Sequence, residues 1–172
     1  MQRHSKRQGY RAAYFGMLTA AAFLLGYLES LIPFSIGIYG VKLGLANLAV
    51  VVTLYRMGGR EAFTVSLLRV LLTGFTFGNL SMMLYSLAGG ILSCIAMVVA
   101  RRVTKLSVTG VSILGGVFHN AGQLIVAVLV VQSDPLLFYG VVLLAAGTLT
   151  GLVIGVTSDK ILRHLPAVTI ND

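Results

Sequence analysis

The positive charges of this chain break its apolar sequence at regular intervals, and in every second gap. Of thirteen Lys and Arg residues, eleven fall in four clusters. Arg3, Lys6, Arg7 and Arg11 precede the first apolar run, and Arg56 and Arg60 flank Met57-Gly58-Gly59. Arg101, Arg102 and Lys105 form a third cluster, Lys160 and Arg163 a fourth. The alternate gaps, at 32–40, 78–79 and 132–135, carry neither residue type. This is the positive-inside pattern of a polytopic membrane protein. It leaves little choice of fold, because lipid-exposed backbone must satisfy its own hydrogen bonds, so each apolar run reads as a helix. The pattern predicts an all-α, six-helix transmembrane bundle in the cell membrane with both termini cytoplasmic.

Composition removes the main competitor. The chain is 57% hydrophobic and 10% charged, with mean hydropathy +0.92, where soluble domains carry about 25% charged residues. A net charge of +8 would suggest nucleic acid in a soluble protein. Here the charges lie in scattered gaps, so they read as topology determinants beside anionic lipid, and no nucleic-acid partner is expected. Cys94 is the sole cysteine, which excludes an intramolecular disulfide and reads as a small buried residue. The basic, then apolar, start resembles a signal peptide. The run is long, however, and Leu28-Glu29-Ser30 is a poor cleavage site, so a retained first helix is expected.

The organisation reads as a basic tail at 1–10, one transmembrane domain at 11–160 and a second tail at 161–172. The expected spans are Arg11–Ile32, ended by Pro33; a short Lys42–Tyr55; Arg60–Phe77; Leu80–Ala100; Val108–Val131; and a sixth from Asp134-Pro135 to about Thr157. Asp134 would cap the last, with Pro135 in its tolerant first turn. Small residues recur every four positions at Ala12/Gly16/Ala20, Gly74/Gly78 and Gly147/Gly151/Gly155. Such faces let helices approach closely in lipid, and packing within the bundle is their first explanation.

Ionisable groups at membrane depth cost about 2.5–3.5 kcal/mol and need a partner, a wet cavity or a function. Arg69 is the deepest, near the middle of the third span. Glu29 lies one turn from the outer end of the first. Lys42 opens the second, where snorkelling to the headgroups also explains it, and Asn47 lies more than a turn deeper. His119 and Asn120 sit near the centre of the fifth span, with Gln123 on the face of His119 by i,i+4 spacing. All fall at the midplane or in the outer half. This predicts a polar cavity facing outside, with Arg69 recognising charge, Asn47, His119, Asn120 and Gln123 giving directional hydrogen bonds, and Glu29 and Lys42 at the mouth. The charge sum favours a small anionic or zwitterionic ligand. The competing explanation is an internal Arg69–Glu29 ion pair with the other polar groups bridging helices. No metal-ligand spacing surrounds His119, and no GxxxxGK[ST] motif is present, so neither a metal nor ATP bound by a P-loop is expected. No catalytic residues and no cofactor are expected.

The run Val41-Lys42-Leu43-Gly44-Leu45-Ala46-Asn47 resembles the signature of the bacterial Gx transporter family, also called heptaprenyl diphosphate synthase component I. The likeness continues through Gly59-Arg60-Glu61-Ala62, Ser66-Leu67-Leu68-Arg69-Val70, Ser86-Leu87-Ala88-Gly89-Gly90 and the stretch from Gly116 to Gln123. It covers the first to fifth helices. The family in turn resembles the substrate-binding S components of energy-coupling factor transporters. That likeness implies a six-helix protein capturing a nutrient from outside. It also implies docking, through small residues of the first helix such as Ala12, Gly16 and Ala20, onto a membrane coupling protein driven by ATPases. The synthase label implies isoprenoid chemistry instead. Magnesium on a diphosphate needs carboxylates, and the five acidic residues here, Glu29, Glu61, Asp134, Asp159 and Asp172, are all far apart in sequence. A non-catalytic membrane partner in isoprenoid or quinone-precursor synthesis is the alternative expectation.

Overall fold

Helix boundaries follow from local chemistry. The structure, a computed structural model, describes residues 2–31, 44–132 and 135–165. It contains α1 Gln2–Leu31, α2 Leu45–Arg56, α3 Gly59–Phe77, α4 Leu80–Val103, α5 Val108–Val131 and α6 Pro135–His164. Among the described residues there is no strand. The Asn79 side chain accepts from the Met82 N–H at 2.8 Å, and Ser107 Oγ accepts from the Gly110 N–H at 3.2 Å. Each satisfies one of the orphan donors that open α4 and α5. Gly44 and Gly58 precede α2 and α3 with φ of +70° and +123°, conformations that glycine adopts without steric cost. The Asp134 cap and the 32–41 loop lie outside the described residues.

All six expected helices are present; α2 starts at Leu45, α4 extends to Val103, and the largest differences are at α1 and α6. α1 starts at Gln2, so the basic tail is helical, and α6 runs past Thr157 to His164. Neither stretch contains an internal proline, and Arg163 and His164 complement the negative end of α6. The parts of α1, α4, α5 and α6 within 8–31, 80–103, 108–130 and 139–164 are long and apolar enough to cross a membrane. α2 has only 12 residues, or about 18 Å, against a hydrocarbon core of about 30 Å. It is instead an internal helix, with Ala46 and the run 49–54 buried.

α1 packs on α2 and α3, α3 on α4, α4 on α5 and α5 on α6, while α2 closes the bundle between α6 and the first and third helices. The α5–α6 seam is the tightest. A Cβ on Gly147 would sit 2.6 Å from the Gly116 carbonyl oxygen, and one on Gly155 2.7 Å from Thr109 Cα. Ser112 Oγ crosses the seam to donate to the Gly151 carbonyl at 2.8 Å. The α6 glycines thus serve packing within the bundle, as expected. The α1 stripe does not: Ala12, Gly16 and Ala20 are exposed, and a Cβ on Gly16 would meet nothing within 4 Å among the described residues.

The buried core, which includes Val50, Leu54, Val65, Met97, Val111 and Ile154, fills the end where the basic clusters lie. Several of those basic residues hold helices together. Arg56 donates to the carbonyls of Leu162 and Leu165 at the end of α6, the latter at 2.8 Å. Arg101 donates to the Leu54 carbonyl near the end of α2 and lies 4.8 Å from the Tyr55 ring centroid. Arg11 pairs with Glu61 at 2.8 Å, tying α1 to α3. Orphan carbonyls at helix C-termini attract cations for reasons of both hydrogen bonding and dipole. Arg56→Ala is therefore expected to lower stability by about 1–3 kcal/mol. The exposed Lys105 is the control, with Lys105→Ala changing it by less than about 0.5 kcal/mol. Thermal unfolding in detergent measures both.

Candidate functional site

The buried core fills the basic end of the bundle, and a cavity lies toward the other. A cavity of about 370 Å³ lies among the ends of α1 to α5 remote from the basic clusters. α1 contributes Gly26, Glu29 and Ser30; α2 begins in its wall with Gly44 and Asn47; α3 contributes Arg69, Val70, Thr73, Gly74 and Phe77. α4 adds Met82, Met83 and Ser86, and α5 adds His119 and Gln123. Five of the seven binding residues expected from sequence thus share one space: Glu29, Asn47, Arg69, His119 and Gln123. Lys42 lies outside the described residues.

Asn120 does not line this cavity. Its Nδ2 donates to the Leu143 carbonyl of α6 at 2.6 Å, so it bridges helices. Adjacent helical residues point about 100° apart. His119 facing the cavity therefore turns Asn120 toward α6. The i,i+4 partner Gln123 keeps the His119 face, with Nε2 3.3 Å from His119 Nε2.

Arg69 is the electrostatic centre. Its Nη2 donates to Asn47 Oδ1 at 2.9 Å. Its Nε is buried without a hydrogen-bond partner among the described residues. No carboxylate of the described residues lies within salt-bridge distance of it. Glu29 lines the same cavity but is not in direct ion-pair contact with Arg69; its Oε1 accepts the Gly44 N–H at 2.5 Å. That places a carboxylate at the N-terminus of α2, where the helix dipole favours it. The local sequence explains the arrangement. Gly44 adopts φ +70°, which turns the chain into α2. Asn47, whose N–H bonds the Gly44 carbonyl at 2.8 Å, lies one turn in and receives the guanidinium.

Sequence reasoning missed Thr73, Phe77, Met83 and Ser86. Thr73 and Phe77 follow Arg69 at i+4 and i+8, so the same helical face was a usable signal. Thr73 Oγ1 donates back to the Arg69 carbonyl at 2.8 Å. Phe77 packs against Phe23 and Tyr27, with centroids 5.7 and 5.4 Å away. Ser86 and the methionines carry no signal short of the fold. Gly89 has a clear purpose: a Cβ there would lie 2.7 Å from the His119 carbonyl oxygen, so the glycine lets α4 approach α5 beside the cavity.

One permanently charged guanidinium, the Glu29 carboxylate, neutral amides, an imidazole and hydroxyls thus face an apolar wall of Val70, Phe77, Met82 and Met83. A volume near 370 Å³ falls in the range of small-molecule sites, about 300–1,000 Å³. Among the described residues no group of three or more His, Cys, Asp or Glu side chains could hold a metal ion.

Fold and site together define a helical membrane bundle with a polar cavity sunk into one end. The chain belongs to the family described as heptaprenyl diphosphate synthase component I, whose model matches residues 18–161. No curated protein and no solved structure matches the chain.

Proposed function

We propose that this protein is the substrate-binding membrane subunit of a nutrient uptake system, taking a small anionic or zwitterionic molecule into the Arg69 cavity. One observation carries the reading: a half-buried arginine at membrane depth faces a cavity of ligand size, with a buried, unpartnered Nε and no carboxylate ion-paired to it among the described residues. Such a charge is costly in a bilayer unless something compensates it; Glu29 lines the same cavity without a direct ion pair, and an anionic ligand supplies the direct partner the cavity has room for. The positive-inside asymmetry puts the basic end in the cytoplasm and the cavity toward the outside. Energy then comes from a partner. The exposed Ala12, Gly16 and Ala20 face of α1 is the docking surface for a coupling membrane protein with its ATPases.

The test is native mass spectrometry, with small-molecule extraction, of protein purified gently from its membrane. A co-purifying anion or zwitterion is expected. Repeated preparations without one would count against the reading. Orientation is checked separately in a Cys94→Ala background. A cysteine at Ser81 is expected to react with an impermeant thiol reagent from outside intact cells, and one at Lys105 only after permeabilisation.

A second reading rests on the family description. A synthase component implies a partner enzyme subunit, and this chain would be its membrane anchor or would handle its isoprenoid substrate without performing the chemistry alone. That reading predicts that prenyl-chain elongation in a reconstituted mixture changes in yield or product length when this chain is added.

A further inference from the structure

The basic end divides by what its side chains touch. Arg11 pairs with Glu61, Arg56 and Arg101 hold helix carbonyls, and Arg163 pairs with Asp159 at 2.8 Å. Arg60 and Arg102 have no such engagement of their guanidinium groups among the described residues, and both line one groove. This groove, about 480 Å³, runs between the start of α3 and the end of α4, outside the bundle core and apart from the Arg69 cavity. Its walls are apolar: Phe63, Ile95, Val98 and Val99. Three of these are well exposed, Phe63 at 39%, Ile95 at 52% and Val99 at 53%. Gly59 sets the helix separation here, since a Cβ would lie 2.9 Å from Val98 Cγ2.

We propose that this groove holds one anionic phospholipid of the adjacent leaflet, its phosphate between Arg60 and Arg102 and an acyl chain along Phe63, Ile95 and Val99. The occupant must be an amphiphile, because the groove joins two cations at the membrane edge to an apolar channel at bilayer depth. Guanidinium groups bind phosphate oxygens through paired, charge-assisted hydrogen bonds. The start of α3 adds to the attraction. Its N-cap Gly58 offers no side-chain acceptor, and the positive end of the α3 dipole, at Gly59, adjoins the groove. Glu61, the acidic residue of that turn, is neutralised by Arg11. A free phosphate would leave the apolar walls uncovered, and a zwitterionic headgroup would bring its own cation to the arginines. A basic site between helices at one membrane face is where anionic headgroups are recognised.

The experiment uses the full chain in detergent, titrated with dioleoylphosphatidylglycerol, dioleoylphosphatidylcholine or inorganic phosphate and read by native mass spectrometry. One phosphatidylglycerol is expected to remain bound under activation that strips phosphatidylcholine. The pair Arg60→Gln and Arg102→Gln is expected to weaken that binding by about tenfold or more. The pair Lys105→Gln and Lys160→Gln removes the same charge outside the groove and is expected to change it by less than about twofold. Val99→Trp, which fills the groove and keeps both arginines, is expected to lose the adduct. Circular dichroism and a monodisperse elution profile confirm that each variant is folded. The proposal is overturned if both charge pairs weaken binding equally, which is diffuse attraction, or if the two lipids are retained alike. Displacement of the lipid by equimolar inorganic phosphate, or an adduct that survives Val99→Trp, overturns it too.

Discussion

Arg69→Ala is expected to weaken ligand retention by about a hundredfold or more while leaving the bundle folded. A hydrogen bond to a charged group contributes about 1.5–3 kcal/mol. An anion facing the free edge of the guanidinium can take two, and about 3 kcal/mol is already more than a hundredfold in affinity. The effect on stability should be small, for two opposing reasons. The substitution strips Asn47 Oδ1 of its donor, but that oxygen faces a cavity of about 370 Å³ with room for water. It also removes a cation that the membrane interior penalises. Arg69→Lys separates charge from geometry. The ammonium keeps the charge but lacks the planar fork, so it should recover part of the affinity, to within about tenfold of the native protein. The measurements are ligand retention by mass spectrometry and thermal unfolding of the same samples. A large fall in melting temperature for Arg69→Ala, with no ligand found in either protein, would mean that Arg69 is only a structural link to α2.

That contrast turns on where Glu29 points, and here the sequence was ambiguous for a physical reason. One cation and one anion at similar depth suggest an ion pair. What separates them is the start of α2. Its unsatisfied N–H groups compete for the carboxylate, and Gly44 presents one at 2.5 Å. A helix terminus carries about half a charge, and no residue letter announces it. Other parts of the fold were plain. The apolar runs became six helices, four of them long and apolar enough to cross a membrane, where bilayer physics admits few alternatives. The polar set on one face of α5 was legible from i,i+4 spacing, and His119 and Gln123 do meet. Asn120 was misplaced because depth was read and angle was not. Along a helix, a step of one residue changes depth by about 1.5 Å but direction by about 100°. The basic clusters were read only as topology determinants, not as the C-terminal clamps that Arg56 and Arg101 provide. Those contacts join segments about a hundred residues apart in one case and about fifty in the other, and only the tertiary fold brings them together.

Gly151→Val is expected to break the bundle, while Gly16→Val leaves it intact, although both glycines belong to stripes with the same spacing. At Gly151 a Cβ would lie 2.7 Å from Ile113 Cα and 2.8 Å from the Ser112 carbonyl oxygen. Both obstacles are backbone, so no rotamer change relieves them and α5 and α6 must move apart. Overpacking of this kind costs about 1–3 kcal/mol and occasionally more. The separation would also stretch the Ser112–Gly151 hydrogen bond, worth about another 1 kcal/mol. Because packing rather than hydrophobic burial holds helices together in lipid, a loss of about 3 kcal/mol should appear as poor accumulation and a much lower melting temperature. At Gly16 a Cβ meets nothing within 4 Å among the described residues, and valine is a slightly better helix former than glycine, so the isolated protein should be as stable as before. The consequence of Gly16→Val should instead fall on assembly. A branched side chain on an otherwise small and exposed face would hold a partner helix away. Co-purification of a membrane partner from native membranes should then drop, while ligand retention by the isolated protein stays unchanged. Loss of stability at Gly16, or none at Gly151, would reverse the assignment of the two faces.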